Sequence, residues 1–330
     1  MNAKVKVSVL MLTYNHKNYI ADAIESVIKQ QTDFPFELVI GEDRSTDSTA
    51  NICREYQKKY PEIIKLTIND KNLGLQENFI RSYNRCSGEY IAICEGDDFW
   101  TNKHKLQIQA DFLDSHKEYS ACFHRVINYY QYNGTKSLSN GGQKEDTTII
   151  DLAKSNYISN VSAMFRRGLF GELPDWFTKV STYDYAIHLL NAQYGKIHYM
   201  KTPMAVYRQH KSAIWSKAGT DKKLSIALQV RELLMDYFHD NKEVLDALRG
   251  AHKAIATNLI NYYHSINQED EISSVEERII KYNPNLSIDL IRQQTAHQSV
   301  SFKMKLKSYA FFCLKQARAL VSRFIPLPRI

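Results

Sequence analysis

No stretch of eighteen uninterrupted apolar residues occurs in this 330-residue chain, so nothing in it reads as a membrane-spanning helix. After Met1 the sequence runs almost at once into a strand-like segment, and no signal peptide is legible. The first loop lacks Gly-x-Gly-x-x-Gly, and Gly-x-x-x-x-Gly-Lys-Ser/Thr is absent throughout, which excludes a dinucleotide fingerprint and a P-loop. The five cysteines (Cys53, Cys86, Cys94, Cys122, Cys313) form no Cys-x-x-Cys pair. Three of them, Cys53, Cys94 and Cys122, lie in apolar patterns and read as core residues of a protein from a reducing compartment, with no metal–thiolate site. Acidic side chains are missing from residues 301–330, which carry seven of the chain's 43 basic ones; removing those seven leaves 36 basic against 36 acidic. The body is therefore neutral. Basic charge confined to a tail, rather than spread over a working face, argues against a nucleic-acid partner.

What is present is an alternation. Val5 to Leu12 is β-branched and apolar, and Tyr19, Ile20, Ala23, Ile24, Val27 and Ile28 follow at helical spacing. Phe36 to Ile40 is a second strand, followed by a helix carrying Ile52, Cys53, Tyr56 and Tyr60 and stopped by Pro61. Ile64 to Ile68 is a third strand, then a helix over roughly 76–86, then a fourth strand, Tyr90 to Cys94. Four such repeats in the first hundred residues predict a parallel, helix-covered α/β sheet.

Three of these four strands deliver polar clusters at their carboxyl ends, where open α/β sheets bind ligands. Thr13-Tyr14-Asn15 follows the first strand, Glu42-Asp43 the second, and Glu95-Gly96-Asp97-Asp98 the fourth. Hard oxygen donors such as these suit Mg²⁺ or Mn²⁺ beside a phosphate. Strand alternation predicts that Asp97 and Asp98 leave on opposite faces. Gly96 is expected to let the backbone turn sharply and approach a ligand. Tyr14 offers a face on which a base could stack, and Asp43 could accept a hydrogen bond from it. The alternative reading of the acidic stretch is an ordinary capped turn.

These residues resemble family 2 glycosyltransferases of the GT-A fold, most nearly bacterial enzymes of polysaccharide assembly. The resemblance rests on Thr13-Tyr14-Asn15, Glu42-Asp43-x-Ser-Thr-Asp, Asn72-x-Gly74 and Glu95-Gly-Asp-Asp-Phe-Trp. It implies a mixed, mainly parallel sheet with helices on both faces and a helical C-terminal region. It implies that Tyr14 lies along the base and Asp43 bonds it, with Thr13, Asn15, Asn72 and Gly74 completing the nucleoside pocket. It further implies that Asp97 contacts the ribose and Asp98 ligates a divalent Mn²⁺ or Mg²⁺. Where many members read Ala-Arg-Asn after Asn-x-Gly, this chain reads Leu75-Gln76-Glu77-Asn78.

Beyond Trp100, a helix is predicted over Leu106 to Leu113 and strands over Tyr119 to Tyr130 and Val161 to Phe165. The Gly- and Asn-rich stretch 131–147 reads as a hairpin tip or a mobile loop. Asp184 opens a helix that ends near Gly195, and the Gly195-Lys-Ile-His-Tyr199 strand follows. Position alone fits helix capping; the resemblance implies the catalytic base of an inverting enzyme. Tyr207-Arg208-Gln209-His210, followed by Trp215, is similar to a loop that closes over the pyrophosphate, which makes Arg208 and Trp215 donor-binding candidates and His210 a metal-ligand candidate. Domains are expected over 1–217 (nucleotide half 1–100, acceptor half 101–217), 218–300 as a helical region, and 301–330 as a basic amphipathic helix. The last either meets anionic lipid or docks on the protein itself.

The expected activity is metal-assisted, inverting transfer of a sugar from a nucleotide-sugar, with UDP the expected nucleotide, to a glycan or lipid-linked hydroxyl. Such an enzyme would be cytoplasmic, or peripheral on the inner face of the plasma membrane. Two other classes compete. A sugar nucleotidyltransferase would carry a Gly- and Lys/Arg-rich phosphate loop near the first strand, and none is visible. A degenerate glycan-binding scaffold would have no use for Asp43, Asp97, Asp98 and Asp184 together.

Overall fold

The computed structural model describes residues 4–210, 218–289 and 291–292. The chain divides into two compact units, Met1–Leu152 with Asn156–Gln209, and Ala153–Ser155 with His210–Ile330. Trp215 and the basic 301–330 segment lie outside the described residues.

The first unit is built on one ten-stranded sheet. Strand β1 (Val7–Thr13) is buried along all seven residues, as a central strand covered on both faces must be. It pairs in parallel with β2 (Phe36–Glu42) on one side and β4 (Tyr90–Ile93) on the other, while β3 (Ile64–Ile68) pairs with β2. The connecting helices are α1 (Ile20–Ile28), α2 (Thr49–Lys59) and α3 (Leu75–Asn84). Helix α1 buries Ile20, Ala23, Ile24 and Val27, the face its spacing predicts. Each large aliphatic side chain there contributes about 1.5–3 kcal/mol through burial. The fold class is the expected one.

The strand order is β3-β2-β1-β4-β9-β6-β10-β5. Order reverses at β1, since β2 and β3 extend to one side and later strands to the other, which puts the carboxyl ends of β1 and β4 at the switch point where open α/β sheets bind ligands. On the far side, β6 (Tyr119–Tyr130) pairs in parallel with β10 (Lys196–Gln209), and β9 (Met164–Arg166) runs antiparallel to both β4 and β6. The strand expected over Gly195 to Tyr199 continues as β10 to Gln209, with a register shift between Met200 and Ala205, so Tyr207-Arg208-Gln209, expected in a loop, ends that strand. Strand β5 (Phe99–Trp100) pairs with β10, which brings the residues just after Asp97-Asp98 against Val206 and Ala205. Helix α4 (Lys105–Ser115) packs beside β6. The 131–147 stretch forms β7 (Thr135–Leu138) on β6 and β8 (Asp146–Thr147) on β10. Helices α5 (Ile149–Lys154) and α6 (Asp184–Ala192) complete the elements before β10.

The second unit is helical where described: α7 (Thr220–Tyr237), α8 (Lys242–Ser265) and α9 (Asp270–Tyr282). Its core joins Leu228, Leu259, Ile260, Val275 and Ile279. Asn241 caps α8 by accepting from the Val244 amide at 3.2 Å. Buried His252 meets Glu232 at 3.0 Å, and Arg278 holds both oxygens of that carboxylate. Among the described residues no helix is long and apolar enough to cross a membrane.

Candidate active site

The site begins where β4 stops. After Ile93 the chain leaves the sheet, and the Asp98 amide donates to the Glu95 carbonyl at 3.0 Å, closing a turn. Side-chain alternation therefore no longer applies. Instead of parting, Glu95, Asp97 and Asp98 each place one carboxylate oxygen within 4.8 Å of the others. Gly96 lies in that turn, and it also packs against the end of β1. Its φ is not positive; a Cβ there would lie 2.7 Å from Thr13 Oγ1 and 3.0 Å from His16 Nδ1. Glycine at this place lets the ends of β1 and β4 touch. His16 Nε2 in turn lies 3.7 Å from Asp97 Oδ2.

Burial and crowding penalise the charge on Glu95 and Asp98. Burial, then the neighbouring Asp97, pushes Glu95 up to about 7, against the stabilising bond from Tyr183. Asp98 is driven well above the ordinary carboxylate range, by burial and by Asp97 and Glu95. One Asp98 oxygen accepts from the Arg208 amide at 2.8 Å; the other is buried with no hydrogen-bond partner among the described residues. An orphaned hard oxygen in a cluster of three is what a divalent cation needs, so the donor set fits Mg²⁺ or Mn²⁺.

Arg208, at the end of β10, is buried. Its guanidinium meets Asp22 at 2.6 Å, donates to the Asp97 carbonyl at 3.3 Å and lies 4.4 Å from the Phe99 ring centroid. It braces the acidic turn from behind. Among the expected site residues, His210 begins the second unit and is buried.

The loops after β1, β2 and β3 interlock. The Asp43 amide donates to the Thr13 carbonyl at 3.0 Å. Asn15, at φ 57°, donates its amide to Ser45 Oγ and accepts from the Thr46 amide. Tyr14 between them is 40% exposed, leaving its ring face open. The Asp43 carboxylate accepts from the amides of Leu73 and Gly74, at 2.8 and 2.9 Å, and from Asn69 Nδ2 at 2.9 Å. Asn72 Nδ2 donates to the Asp43 carbonyl. Gly74 enters α3 at φ 82°, ψ 168°, a conformation in effect reserved for glycine. Asn78, the one residue of Ala-Arg-Asn this chain keeps, donates to the Gly41 carbonyl beneath that loop.

Asp184 stands at the first turn of α6. Burial raises it above the usual aspartate range, opposed by the Tyr185 amide and the side chains of Asn156 and Thr182. The residue before it, Tyr183, donates from its hydroxyl to Glu95 at 2.6 Å. Asp184 is near enough to the acidic cluster for its charge to raise Glu95, and burial, followed by Asp98, Glu95, Asp97 and Asp184, raises Tyr207. Glu95, His16, Asn160, Tyr183 and Tyr207 went unassigned in the sequence. Glu95 stands in the quoted motif; the others are joined to it only by folding.

A mixed, mainly parallel sheet with carboxylates gathered at the carboxyl end of its fourth strand is the architecture of a GT-A fold. The model for glycosyl transferase family 2 matches residues 8–173, half of the chain, and the chain belongs to that family. An uncharacterized protein of Mycobacterium tuberculosis is 34% identical over 220 residues, 66% of this chain and 62% of that relative, so the chain spans less than two thirds of its length. The dTDP-rhamnosyl transferase RfbG of Shigella flexneri is 34% identical over 140 residues, 41% of this chain and 47% of that protein. In fold the chain is similar to Staphylococcus aureus TarS 1-349 in complex with UDP-GlcNAc, with TM-score 0.55 and 18% identity over 83% of this chain and 91% of the other. It is also similar to the mannosyltransferase PcManGT of Pyrobaculum calidifontis in complex with GDP-Man and Mn²⁺, with TM-score 0.52 and 16% identity over 91% and 88%.

Proposed function

We propose that the protein transfers a sugar from a nucleotide-sugar, UDP-linked by preference, to a hydroxyl of a glycan or lipid-linked acceptor, with inversion and with Asp184 as general base. The observation that supports this reading is the Glu95-Asp97-Asp98 cluster together with the bond to Glu95 from Tyr183, the residue before Asp184. Burial supports it further, because an aspartate raised above its usual range takes a proton more readily.

In this reading the exposed Tyr14 ring stacks on the base. Asp43 has three of about four acceptor positions filled by Leu73, Gly74 and Asn69, and the remaining one meets a base N–H. Thr13, Asn15, Asn72 and Gly74 shape that pocket. Asp97 takes the ribose hydroxyls, and Arg208 keeps the acidic turn in place. Asp98 would hold a divalent cation, while His210 remains a ligand candidate on sequence grounds alone. When bound, that cation would offset the charge growing on the diphosphate leaving group. Trp215 remains a donor-binding candidate on sequence grounds alone, and residues 301–330 a candidate for anionic-membrane contact.

The test is Asp184→Asn, assayed for nucleoside diphosphate release with UDP-GlcNAc, GDP-mannose and dTDP-rhamnose as donors. Turnover should fall about 10²–10⁴-fold while nucleotide still binds. Full turnover in that variant would remove Asp184 as the base. Pyrophosphate release in place of nucleoside diphosphate would point to nucleotidyl transfer.

A further inference from the structure

The residue before Asp184 is unusually well anchored. Tyr183 is 2% exposed, and its ring stacks on Phe79 at 4.1 Å between centroids and 20° between planes. Its hydroxyl donates to Glu95 Oε1 at 2.6 Å and accepts from Asn160 Nδ2 at 2.7 Å. Asn160 also reaches Glu95 Oε1, at 3.4 Å, so the three groups form a closed triangle. The Tyr183 carbonyl meanwhile accepts from the Ile187 amide at 2.9 Å, the first hydrogen bond of α6. The same residue is thus fixed at its side-chain end to the acidic cluster after β4 and at its backbone end to the helix turn carrying Asp184.

We infer that Tyr183 is a positioning residue: through Glu95 and Asn160 it sets the place of Asp184 relative to the donor-side carboxylates. This rests on the reading of Asp184 as the base. Two features support it over mere core packing. Phenylalanine would satisfy the stack on Phe79 equally well, so the packing gives no reason for the hydroxyl. In addition, its partner is no backbone group of the core but a carboxylate of the cluster itself. A misplacement of the order of 1 Å at a reacting group costs about a hundredfold in rate, which gives such an anchor its value.

The experiment is a double-mutant cycle with Tyr183→Phe and Asp184→Asn. Turnover is read as nucleoside diphosphate release from UDP-GlcNAc, GDP-mannose and dTDP-rhamnose, and binding as the Kd for UDP with Mn²⁺. Hydrogen exchange at the amides of the first turn of α6 is followed in parallel. Tyr183→Phe should lower kcat roughly ten- to hundredfold, leave the Kd for UDP within about twofold, and speed exchange in that turn. In the Asp184→Asn background the same change should cost nothing further. Equal losses in both backgrounds, an effect confined to the Kd, or unchanged exchange would each overturn the positioning role. Failure of the base reading is separately visible, as Asp184→Asn turning over at the wild-type rate.

Discussion

At the residue scale, burial decides which charges the site can carry. Asp98 is the most exposed to test because one of its oxygens lacks a partner. Asp98→Ala should abolish any Mn²⁺ stimulation of UDP binding, measured by calorimetry with and without the metal, while leaving the fold intact by circular dichroism. Asp184 gives a pH signature. Its carboxyl is raised, so the ionised form needed to accept a proton disappears at a higher pH than for an ordinary aspartate. The acid limb of kcat should therefore have an apparent pKa above 3.8. A limb at or below that value would contradict the buried setting. A second buried charge lies outside the site. Lys105 donates to Gln109 and sits 4.1 Å over the Trp100 ring, and burial lowers it to about 7. Between pH 7 and 10.5 the unfolded chain binds a proton there and the folded one does not, so stability rises with pH in that window. Wild type should gain about 1.4 kcal/mol per pH unit relative to Lys105→Met, read from urea midpoints between pH 7 and 8.5.

At the element scale, the first four strands and three helices were legible because each is a long apolar run or a helical stripe with a clear stop. Phe99–Trp100 and Asp146–Thr147 were not, since two residues cannot show a period. The strand over Gly195 to Tyr199 was legible but its continuation was not, because exposed Lys201 and Thr202 interrupt the apolar pattern at the register shift within β10. Asp43 was legible as a candidate, but its work in clasping the 69–74 loop was not, because its partners lie 26–31 residues away. The same holds for Glu95, whose link to Tyr183 spans 88 residues. A loop held by one carboxylate and one glycine is fragile. Gly74→Ala forces a non-glycine residue into φ 82° and should cost about 1–3 kcal/mol, visible as a lower thermal midpoint and weaker UDP binding.

For the whole molecule, two cores imply two sources of stability. In the helical unit, Glu232 is the shared partner of His252 and Arg278. Burial works against its charge, but the bonds from His252 and Arg278 outweigh that and lower it. Its contribution is therefore present above the ordinary glutamate value and lost as the solution is acidified through it. Glu232→Ala removes the shared partner of buried His252 and half-buried Arg278 and should cost about 1–3 kcal/mol, seen as an earlier denaturant transition. The basic tail is tested by flotation with anionic liposomes, with and without residues 301–330; equal partitioning would remove the membrane role.

The Tyr183–Glu95 bond also bears on how such enzymes can be recombined. A chimera that imports the segment around α6 from a relative with another residue before the aspartate would strand Glu95 without its hydroxyl. New acceptor specificity would then arrive with a slow enzyme, unless position 95 travelled with the graft.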